Sequence, residues 1–436
     1  MIRLLLAVTL SLITTPLWAE VKISEVMSPG GIKAWLVEEH GIPFTALEIR
    51  FRGGASLDPA GKRGAVTLMT SLLEEGAAGL DSRGFAEARD DLAAQFRFDS
   101  GPDTVSVSAQ FLTENRDKVV ALLKTALTDP TFDQPSVDRV KGQIQSIIAS
   151  RATSPDDIAQ ETMRKITFGD HPYGSSDMGT AESVKGLTRD DVVAAKAATM
   201  ARDRVYVSAV GDITPEALGR IIDDLLGGLP EKGADLPGHA TEAFPGTTTV
   251  VDFDTPQASI LFGQPGMKLE DPDYYALFVL NQIIGGGGFS ARLMDEVREK
   301  RGLTYGVSTD LMVMDLGEAW MGALASSNQK AAEAIGVIRD VWADVAQNGV
   351  TKAELDAAKT YMTGSYPLRF DGNGNIASIL VGMQMEGFPI DYPANRNARI
   401  EAVTLDDVNR VAREQMKPEA LTFVVVGRPD GVGSDP

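Results

Sequence analysis

The feature that most constrains the fold of this chain is an internal repeat with an offset of 216 residues. The pentapeptide TRDDV at Thr188–Val192 returns as TLDDV at Thr404–Val408, and the same offset pairs Gly211 with Gly427. In both copies a threonine precedes acidic residues, which is the pattern of a helix N-cap and first turn. A strand pattern ending at glycine follows each helix, VYVSAVG in one copy and LTFVVVG in the other. The chain is therefore predicted to contain two similar domains.

The predicted boundaries place one domain at residues 20–230 and the other at 245–430, with a linker at 231–244 rich in proline, glycine and polar residues. Strand patterns precede helical ones in each half, and IKAWLVEE and FTALEIRFRGG, joined by HGIP, predict a hairpin. VSVSAQF predicts a strand, and helices are predicted at Asp81–Arg97, Asn115–Ala126 and Ser136–Ser150. This order indicates an α+β fold with two antiparallel sheets flanked by helices, rather than alternating βαβ units.

Residues 1–19 have the pattern of a secretory signal peptide. Arg3 precedes the apolar run LLLAVTLSLITT, Pro16 interrupts the segment, and Ala19 is the expected last residue before cleavage, although Leu17 is an unusual third residue from the cut. A membrane anchor is the alternative, but the run is too short to cross a hydrocarbon layer of roughly 30 Å. We therefore expect an exported, periplasmic protein that has no membrane attachment after cleavage.

The composition agrees with export and limits the possible partners. The chain has no cysteine, which excludes disulfides and thiolate metal sites. Its formal net charge of −20 argues against nucleic acid or an anionic membrane as a partner.

The segment Gly285–Ser308, GGGGFSARLMDEVREKRGLTYGVS, has the clearest functional pattern. Four glycines and Phe289 precede a charged helix, and Arg298 at the helix end lies seven residues before Tyr305, where a strand is predicted to begin. Such a unit can direct a cation and a phenol at one point in space. The glycines lack the Lys-Ser/Thr and the βαβ context of a phosphate-binding loop, which argues against nucleotide binding.

This segment resembles the C-terminal half of the pitrilysin/insulinase (mitochondrial-processing-peptidase-like) zinc peptidases. The resemblance covers nearly all of the chain after residue 19, and includes HPYG at 171–174, GLTRDDV, AVTLDDV and the segment RFDGNGNIA. It implies a metallopeptidase-like fold in which two domains enclose a chamber for unfolded peptides.

The resemblance also implies roles for individual residues. An extended peptide would bind along the main chain of Gly285, Gly286, Gly287, Gly288 and Phe289. Arg298 would hold a peptide carbonyl, and Tyr305 would donate to the scissile carbonyl oxygen as it gains charge. The structural alternatives are a flexible turn for the glycines, a solvated helix end for Arg298, and a half-buried strand aromatic for Tyr305.

The zinc motif of the family, H-x-x-E-H, is absent from this chain. A helix with an apolar stripe is predicted after FRGGASLDPAGKRG, and the motif positions on it are Thr67, Thr70 and Ser71. Neutral hydroxyls are poor zinc ligands and cannot serve as a general base. The family's third ligand is a glutamate on a later helix, but residues 136–150 contain only one acid, Asp138.

The histidines do not replace the missing ligands. His40 lies in a turn, His171 in a loop and His239 in the linker, and none has a second histidine at ligand spacing, so all three are predicted to be loop residues. We therefore expect no catalytic zinc and no cofactor in this chain.

Two classes of function remain open. The first is a non-catalytic subunit of a heterodimeric zinc peptidase, in which a homologous H-x-x-E-H partner binds the zinc and this chain contributes Arg298 and Tyr305. The second is a peptide-binding or scaffold protein without peptidase activity. The arginine/tyrosine pair favours the first, because a scaffold needs neither side chain. A self-sufficient peptidase with unusual ligands is the least favoured interpretation.

Overall fold

The structure is a computed structural model that describes residues 22–435, so the predicted signal peptide at residues 1–19 lies outside the described residues. Its strands are β1 (Ser24–Met27), β2 (Lys33–Glu38), β3 (Phe44–Arg52), β4 (Gly76–Ala77), β5 (Leu80–Asp81), β6 (Gln95–Ser100), β7 (Thr104–Leu112), β8 (Val205–Gly211), β9 (Thr248–Asp252), β10 (Gln257–Pro265), β11 (Val307–Met314), β12 (Gly317–Ser327) and β13 (Thr422–Gly427).

The α-helices follow and separate these strands. They are α1 (Ala65–Leu72), α2 (Ser82–Asp91), α3 (Arg116–Thr128), α4 (Gln134–Arg151), α5 (Pro155–Phe168), α6 (Ala181–Lys185), α7 (Arg189–Thr199), α8 (Pro215–Leu226), α9 (Tyr274–Asn281), α10 (Ala331–Asn348), α11 (Lys352–Ser365), α12 (Asn373–Met385), α13 (Tyr392–Ala402) and α14 (Leu405–Gln415). The predicted caps are present, because Thr188 and Thr404 each form a capping box at the start of α7 and α14. Among the described residues, no helix combines the length and the hydropathy needed to cross a membrane.

The strands form one main sheet in each half of the chain. The first has six strands in the order β1-β2-β8-β3-β7-β6, and the second has five in the order β11-β12-β10-β13-β9. Neighbouring strands are antiparallel except for one parallel pair in each sheet, β2 with β8 and β13 with β9. The α+β prediction with helices flanking two sheets is confirmed, and each sheet is mixed rather than purely antiparallel.

Two of the predicted elements are wrong in detail. β2 and β3 do not form a hairpin, because β8 lies between them, parallel to β2 and antiparallel to β3. The end of β8 is buried without alternation, which suits a central strand, and this placement depends on contacts far apart in the sequence. The helix predicted at Asp81–Arg97 ends at Asp91, because Ala93 adopts a left-handed conformation with φ 49° and β6 follows.

Each sheet has two covered faces, and one of them is covered by a helix from the other half of the chain. Helix α12 packs on the first sheet, where Ala377 and Leu380 join a buried cluster with Trp35. Helix α5 packs on the second sheet, where Met163 joins a buried cluster with Val424. The two helices also occupy equivalent positions in the repeat, so the halves exchange helices reciprocally.

The halves also meet in a polar network beside β11. The Tyr173 hydroxyl donates to the Asp103 carboxylate and accepts from the Leu316 N–H at 3.0 Å. Asp103 accepts in turn from the Asp315 N–H at 3.2 Å, and Asp315 pairs with Arg52 at 3.0 Å. Burial raises the pKa of Asp103 and of Asp315, while Arg52 acts in the opposite direction on both carboxyls. This network fixes the junction between the halves.

The network predicts a measurable cost for losing one hydroxyl. Tyr173→Phe should lower the free energy of unfolding by about 1–3 kcal/mol, because the buried Leu316 N–H and Asp103 each lose a partner. Equilibrium unfolding in urea, followed by circular dichroism, measures the change. Tyr361→Phe is the matched control, since Tyr361 is 59% exposed and its loss should fall within about 0.5 kcal/mol of zero. Equal midpoints for the two variants would contradict the role of the network.

Candidate functional site

Helix α1, where the family carries its zinc motif, begins at a tightly held turn. Gly64 precedes it with φ 94°, a conformation that favours glycine. The buried Asp58 carboxylate accepts from the N–H of Gly64 at 2.8 Å and of Val66 at 2.9 Å. Burial raises the pKa of Asp58 to about 6, although these two N–H groups and Arg63 act in the opposite direction. Asp58 therefore caps α1 and fixes its start.

The hydroxyls at the motif positions are occupied by structural hydrogen bonds. Thr67 donates to the Asp177 carbonyl at 2.9 Å, which ties α1 to the loop that precedes α6. Thr70 and Ser71 both donate to the Thr67 carbonyl, at 3.0 and 2.8 Å, and Ser100 donates to the Thr67 hydroxyl at 3.2 Å. These three positions offer neither an imidazole nor a carboxylate, so they cannot hold zinc or activate water.

The later helix does not supply the missing ligand. Asp138 on α4 is exposed and accepts from the Gln134 side chain at 2.8 Å, one turn earlier on the same helix. Its carboxylate is thus directed to the surface rather than to the hydroxyls of α1.

The glycine-rich segment, along whose main chain an extended peptide is expected to bind, is folded into helical turns. Gln282–Gly286 continues α9 as a wide π-helical turn, and Gly288–Ser290 forms a short 3₁₀ turn. Gly285 is required by close packing, because a Cβ there would lie 2.3 Å from the Thr309 hydroxyl on β11. Helical turns direct their N–H groups along the helix axis, so in this conformation the segment does not present its main chain as a strand does, and peptide binding along it stays a prediction. Its prominent feature is instead the Phe289 ring, which is 74% exposed.

Arg298 and Tyr305 line the same open pocket, whose volume is about 430 Å³. Arg298 lies in the wide helical segment Met294–Glu299, and its guanidinium stacks over the Phe289 ring at 4.8 Å and pairs with Glu299. Tyr305 lies in the turn before β11, which begins at Val307 rather than at Tyr305. The Tyr305 side chain is 88% exposed, and its hydroxyl has no hydrogen-bond partner within residues 22–435.

The backbone around Tyr305 is fixed while its side chain is free. Thr304 donates to the Ala325 carbonyl at 2.7 Å, and Ser326 donates to the Leu303 carbonyl at 2.6 Å. Both bonds fasten the turn to the end of β12. The phenol is therefore presented from a rigid base, which is the arrangement that positions a group for a bound molecule.

Asn281, a buried residue next to the glycine-rich segment, was not predicted from the sequence as part of the site. Asn281 accepts through Oδ1 from the Thr309 hydroxyl and from the Trp320 indole, both at 2.7 Å. All three side chains are buried in the second half. The available signal was a single asparagine inside the apolar run ALFVLNQII, because a buried amide needs partners.

A second, more apolar pocket of about 350 Å³ opens between α5 and the second sheet. Three methionines, Met163, Met312 and Met321, line it, with Arg164 and Asp310 as charged residues. Methionine side chains adapt to ligands of varied shape. β11 contributes to this pocket and is also an edge strand, so part of its main chain is not paired within the sheet.

The arginine/tyrosine pocket and the junction of the halves at Asp315 lie at opposite ends of β11. This strand has eight residues and spans about 25 Å, from the turn of Tyr305 to the junction at Asp315. Asp103 contacts that junction, and Ser100, on the same hairpin, contacts Thr67. No residue of α1 lines the pocket that Arg298 and Tyr305 share.

The histidines have different environments. His40 is exposed and pairs with Asp212 at 2.7 Å, and His171 contacts the Gly238 carbonyl at 3.0 Å, so both behave as loop residues. His239 lies in the linker beside two glutamates, Glu242 and Glu318.

Comparison with known proteins gives the family. Residues 34–181 match the family model "Insulinase (Peptidase family M16)", and residues 186–362 match "Peptidase M16 inactive domain". A "Non-peptidase homolog YmxG" from Helicobacter pylori is 25% identical, covering 89% of this chain and 90% of the relative. An uncharacterized zinc protease from Streptomyces coelicolor is also 25% identical, covering 88% of this chain and 85% of the relative.

Solved structures show the same similarity over the whole fold. The crystal structure of a peptidase M16 inactive domain from Pseudomonas fluorescens aligns with a TM-score of 0.87 and 28% identity, covering 95% of this chain and 99% of the other. A protease from Helicobacter pylori has the same fold, with a TM-score of 0.83 at 17% identity and coverage of 93% and 99%. The two family models together match well over half of the residues, and the chain is a member of the insulinase (peptidase M16) family that lacks the H-x-x-E-H zinc motif.

Proposed function

We propose that this chain is the non-catalytic, substrate-binding subunit of an exported heterodimeric zinc peptidase that acts on unfolded peptides. The observation that carries the proposal is the free phenol of Tyr305, which shares a pocket with Arg298 while α1 offers only hydroxyls. The catalytic zinc then belongs to a homologous partner with H-x-x-E-H. The exported location rests on the signal pattern of residues 1–19.

The pocket chemistry suits the transition state of peptide hydrolysis. The carbonyl oxygen gains negative charge when water attacks, and a phenol that has no other partner can donate to it. A guanidinium can hold a neighbouring peptide carbonyl and fix the register of the chain. Because α1 of the same chain has no zinc ligands and none of its residues lines this pocket, these groups would act on a peptide bound at the partner's zinc.

The surroundings of β11 suit a peptide without fixed structure. An edge strand offers main-chain groups that any sequence can use, and the methionine-lined pocket accepts side chains of varied shape. A relative named as a non-peptidase homolog supports the proposal that this chain alone is inactive. Another relative is named as an uncharacterized zinc protease, so similar chains carry both peptidase and non-peptidase names.

A scaffold or peptide-binding protein without peptidase activity is the second candidate. The observation in its favour is that Arg298 is already engaged by Glu299 and by the Phe289 ring. In that case the exposed aromatic rings of Phe289 and Tyr305 would bind apolar peptide side chains without any catalytic consequence.

The first test concerns the chain alone. The purified chain should not hydrolyse an unstructured peptide, with or without added zinc, because α1 has neither zinc ligands nor a base. The double variant Thr67→Val with Ser71→Ala should bind as much zinc as the unchanged chain, as measured by metal analysis after dialysis. Hydrolysis by the chain alone, or loss of bound zinc in the double variant, would show that α1 binds metal after all.

The second test concerns Tyr305 in the assembled peptidase. Mixed with the exported H-x-x-E-H homologue of the same organism, the chain should produce activity that neither shows well alone. Tyr305→Phe should reduce turnover by roughly 10²–10³, the usual effect of losing one such donor, with little effect on binding of an uncleaved peptide. Turnover and peptide binding of the reconstituted pair are the measurements, and Tyr361→Phe is the exposed-tyrosine control.

Arg298→Ala separates the two roles within the pocket. It should weaken peptide binding as well as turnover, because the guanidinium contacts the peptide in both the ground state and the transition state. Near-unchanged turnover for Tyr305→Phe in an intact complex would show that Tyr305 does not contribute to catalysis. The scaffold or peptide-binding function would then be favoured.

A further inference from the structure

The linker between the halves is held from both sides at residues 238–243. The Ala240 N–H donates to the Leu316 carbonyl of the second half at 2.7 Å. The Ala243 N–H donates to the Thr167 carbonyl of the first half at 2.8 Å. Any group that fixes this segment further therefore acts on the junction between the halves.

Three potential metal ligands converge on this segment. His239 Nε2 lies 3.1 Å from Glu318 Oε1, and Glu242 Oε1 accepts from the Glu318 N–H at 3.0 Å. One ligand atom from each of the three side chains lies within 4.8 Å of the other two. Glu318 stands near the start of β12 with only 13% of its side chain exposed, whereas the His239 side chain is 37% exposed. The Glu318 carboxylate is thus held in place by its surroundings, while the more exposed His239 imidazole can change its orientation.

The orientation of the imidazole is that of a metal ligand. His239 Nδ1 lies 2.9 Å from the Ala240 carbonyl, which can only accept, so Nδ1 carries the hydrogen. Nε2 then faces a carboxylate oxygen, and two acceptors are stable at 3.1 Å only if a proton or a cation lies between them. Donation of the other ring N–H to a backbone carbonyl is the usual way in which proteins fix a metal-binding histidine.

The charge of the cluster favours a divalent cation over a proton. Among residues 22–435, His239 is the only basic side chain within 4.0 Å of either carboxylate. A proton on Nε2 balances only one of the two carboxylates, and Lys268, whose charge also acts on His239, forms no ion pair with either of them within 4.0 Å. A divalent ion balances both carboxylates at once and leaves the imidazole neutral.

We propose that His239, Glu242 and Glu318 bind a divalent transition-metal ion, most suitably zinc, through Nε2 and one oxygen of each carboxylate. The mixed nitrogen and oxygen ligand set suits zinc and similar ions better than magnesium or calcium, which prefer oxygen ligands. On binding, the Nε2–metal bond forms and any proton on Nε2 passes to water. Ligand bonds of roughly 2.0–2.2 Å require only small movements of side chains already this close.

The ion has a structural role in this proposal. It joins the linker to β12 beside Leu316, at the junction of the halves and toward the opposite end of β11 from Tyr305. It therefore fixes the relative position of the halves without entering the chemistry of the arginine/tyrosine pocket. The site revises the sequence expectation that His239 is only a loop residue and that the chain holds no metal, and it is independent of the proposed function.

Metal binding by the full purified chain tests the proposal. After loading with zinc and dialysis, the chain should retain about one zinc ion and melt at a higher temperature than the metal-free chain. His239→Gln and Glu318→Gln should each weaken zinc binding by at least roughly 10-fold and abolish the zinc-dependent rise in melting temperature. Titration calorimetry measures the affinity, and magnesium should not reproduce the effect.

His40→Gln is the matched control, because His40 also pairs with carboxylates but lies outside the cluster. It should keep the zinc and the rise in melting temperature. Metal-free melting curves of all variants show whether each one folds. No retained zinc in the unchanged chain would overturn the proposal, and so would equal zinc affinity of folded His239→Gln and His40→Gln.

Discussion

The structure depends on the reciprocal exchange of α5 and α12 between the two halves. Each sheet has one face buried by its own helices, and its other face carries apolar residues such as Trp35 or Val424. Without the exchanged helix, that face would be open to water, at a cost of about 25 cal/mol per Å² of apolar surface. A hydrogen bond adds direction, since the Ser208 hydroxyl donates to the Ala377 carbonyl of α12 at 2.6 Å. The two halves are therefore mutually dependent rather than merely adjacent.

This dependence determines where function can reside. The exchanged helices and the network of Tyr173 hold one end of β11 against the first half. The other end of β11 is presented by the turn of Tyr305, where bonds from Thr304 fix the backbone and leave the phenol free. A rigid junction at one end and a free reactive group at the other suit a chain that completes a site belonging to a partner. The linker residues around His239 belong to the rigid end.

Local patterns predicted much of the fold, because they report burial along one segment. The threonine caps, strand β7 and helices α3 and α4 lie close to the positions that hydrophobic periodicity and capping residues predicted. The false hairpin of β2 and β3 arose because alternation identifies a strand but not its neighbour. At the site, the absence of zinc ligands on α1 was visible in the sequence. The helical turns of the glycine segment and the convergence of His239 with Glu318 were not, because both depend on contacts between distant residues.

The exchange of helices also has a consequence for the order in which the chain acquires its structure. The first sheet receives its central strand only when β8 has been synthesised, and its outer face is covered only when α12, near the end of the chain, has emerged. Contacts of such long sequence separation form slowly, and the uncovered face around Trp35 and Ala46 stays accessible in the meantime. The N-terminal half of a nascent chain thus exposes this apolar face, and is prone to aggregate through it, until synthesis is almost complete.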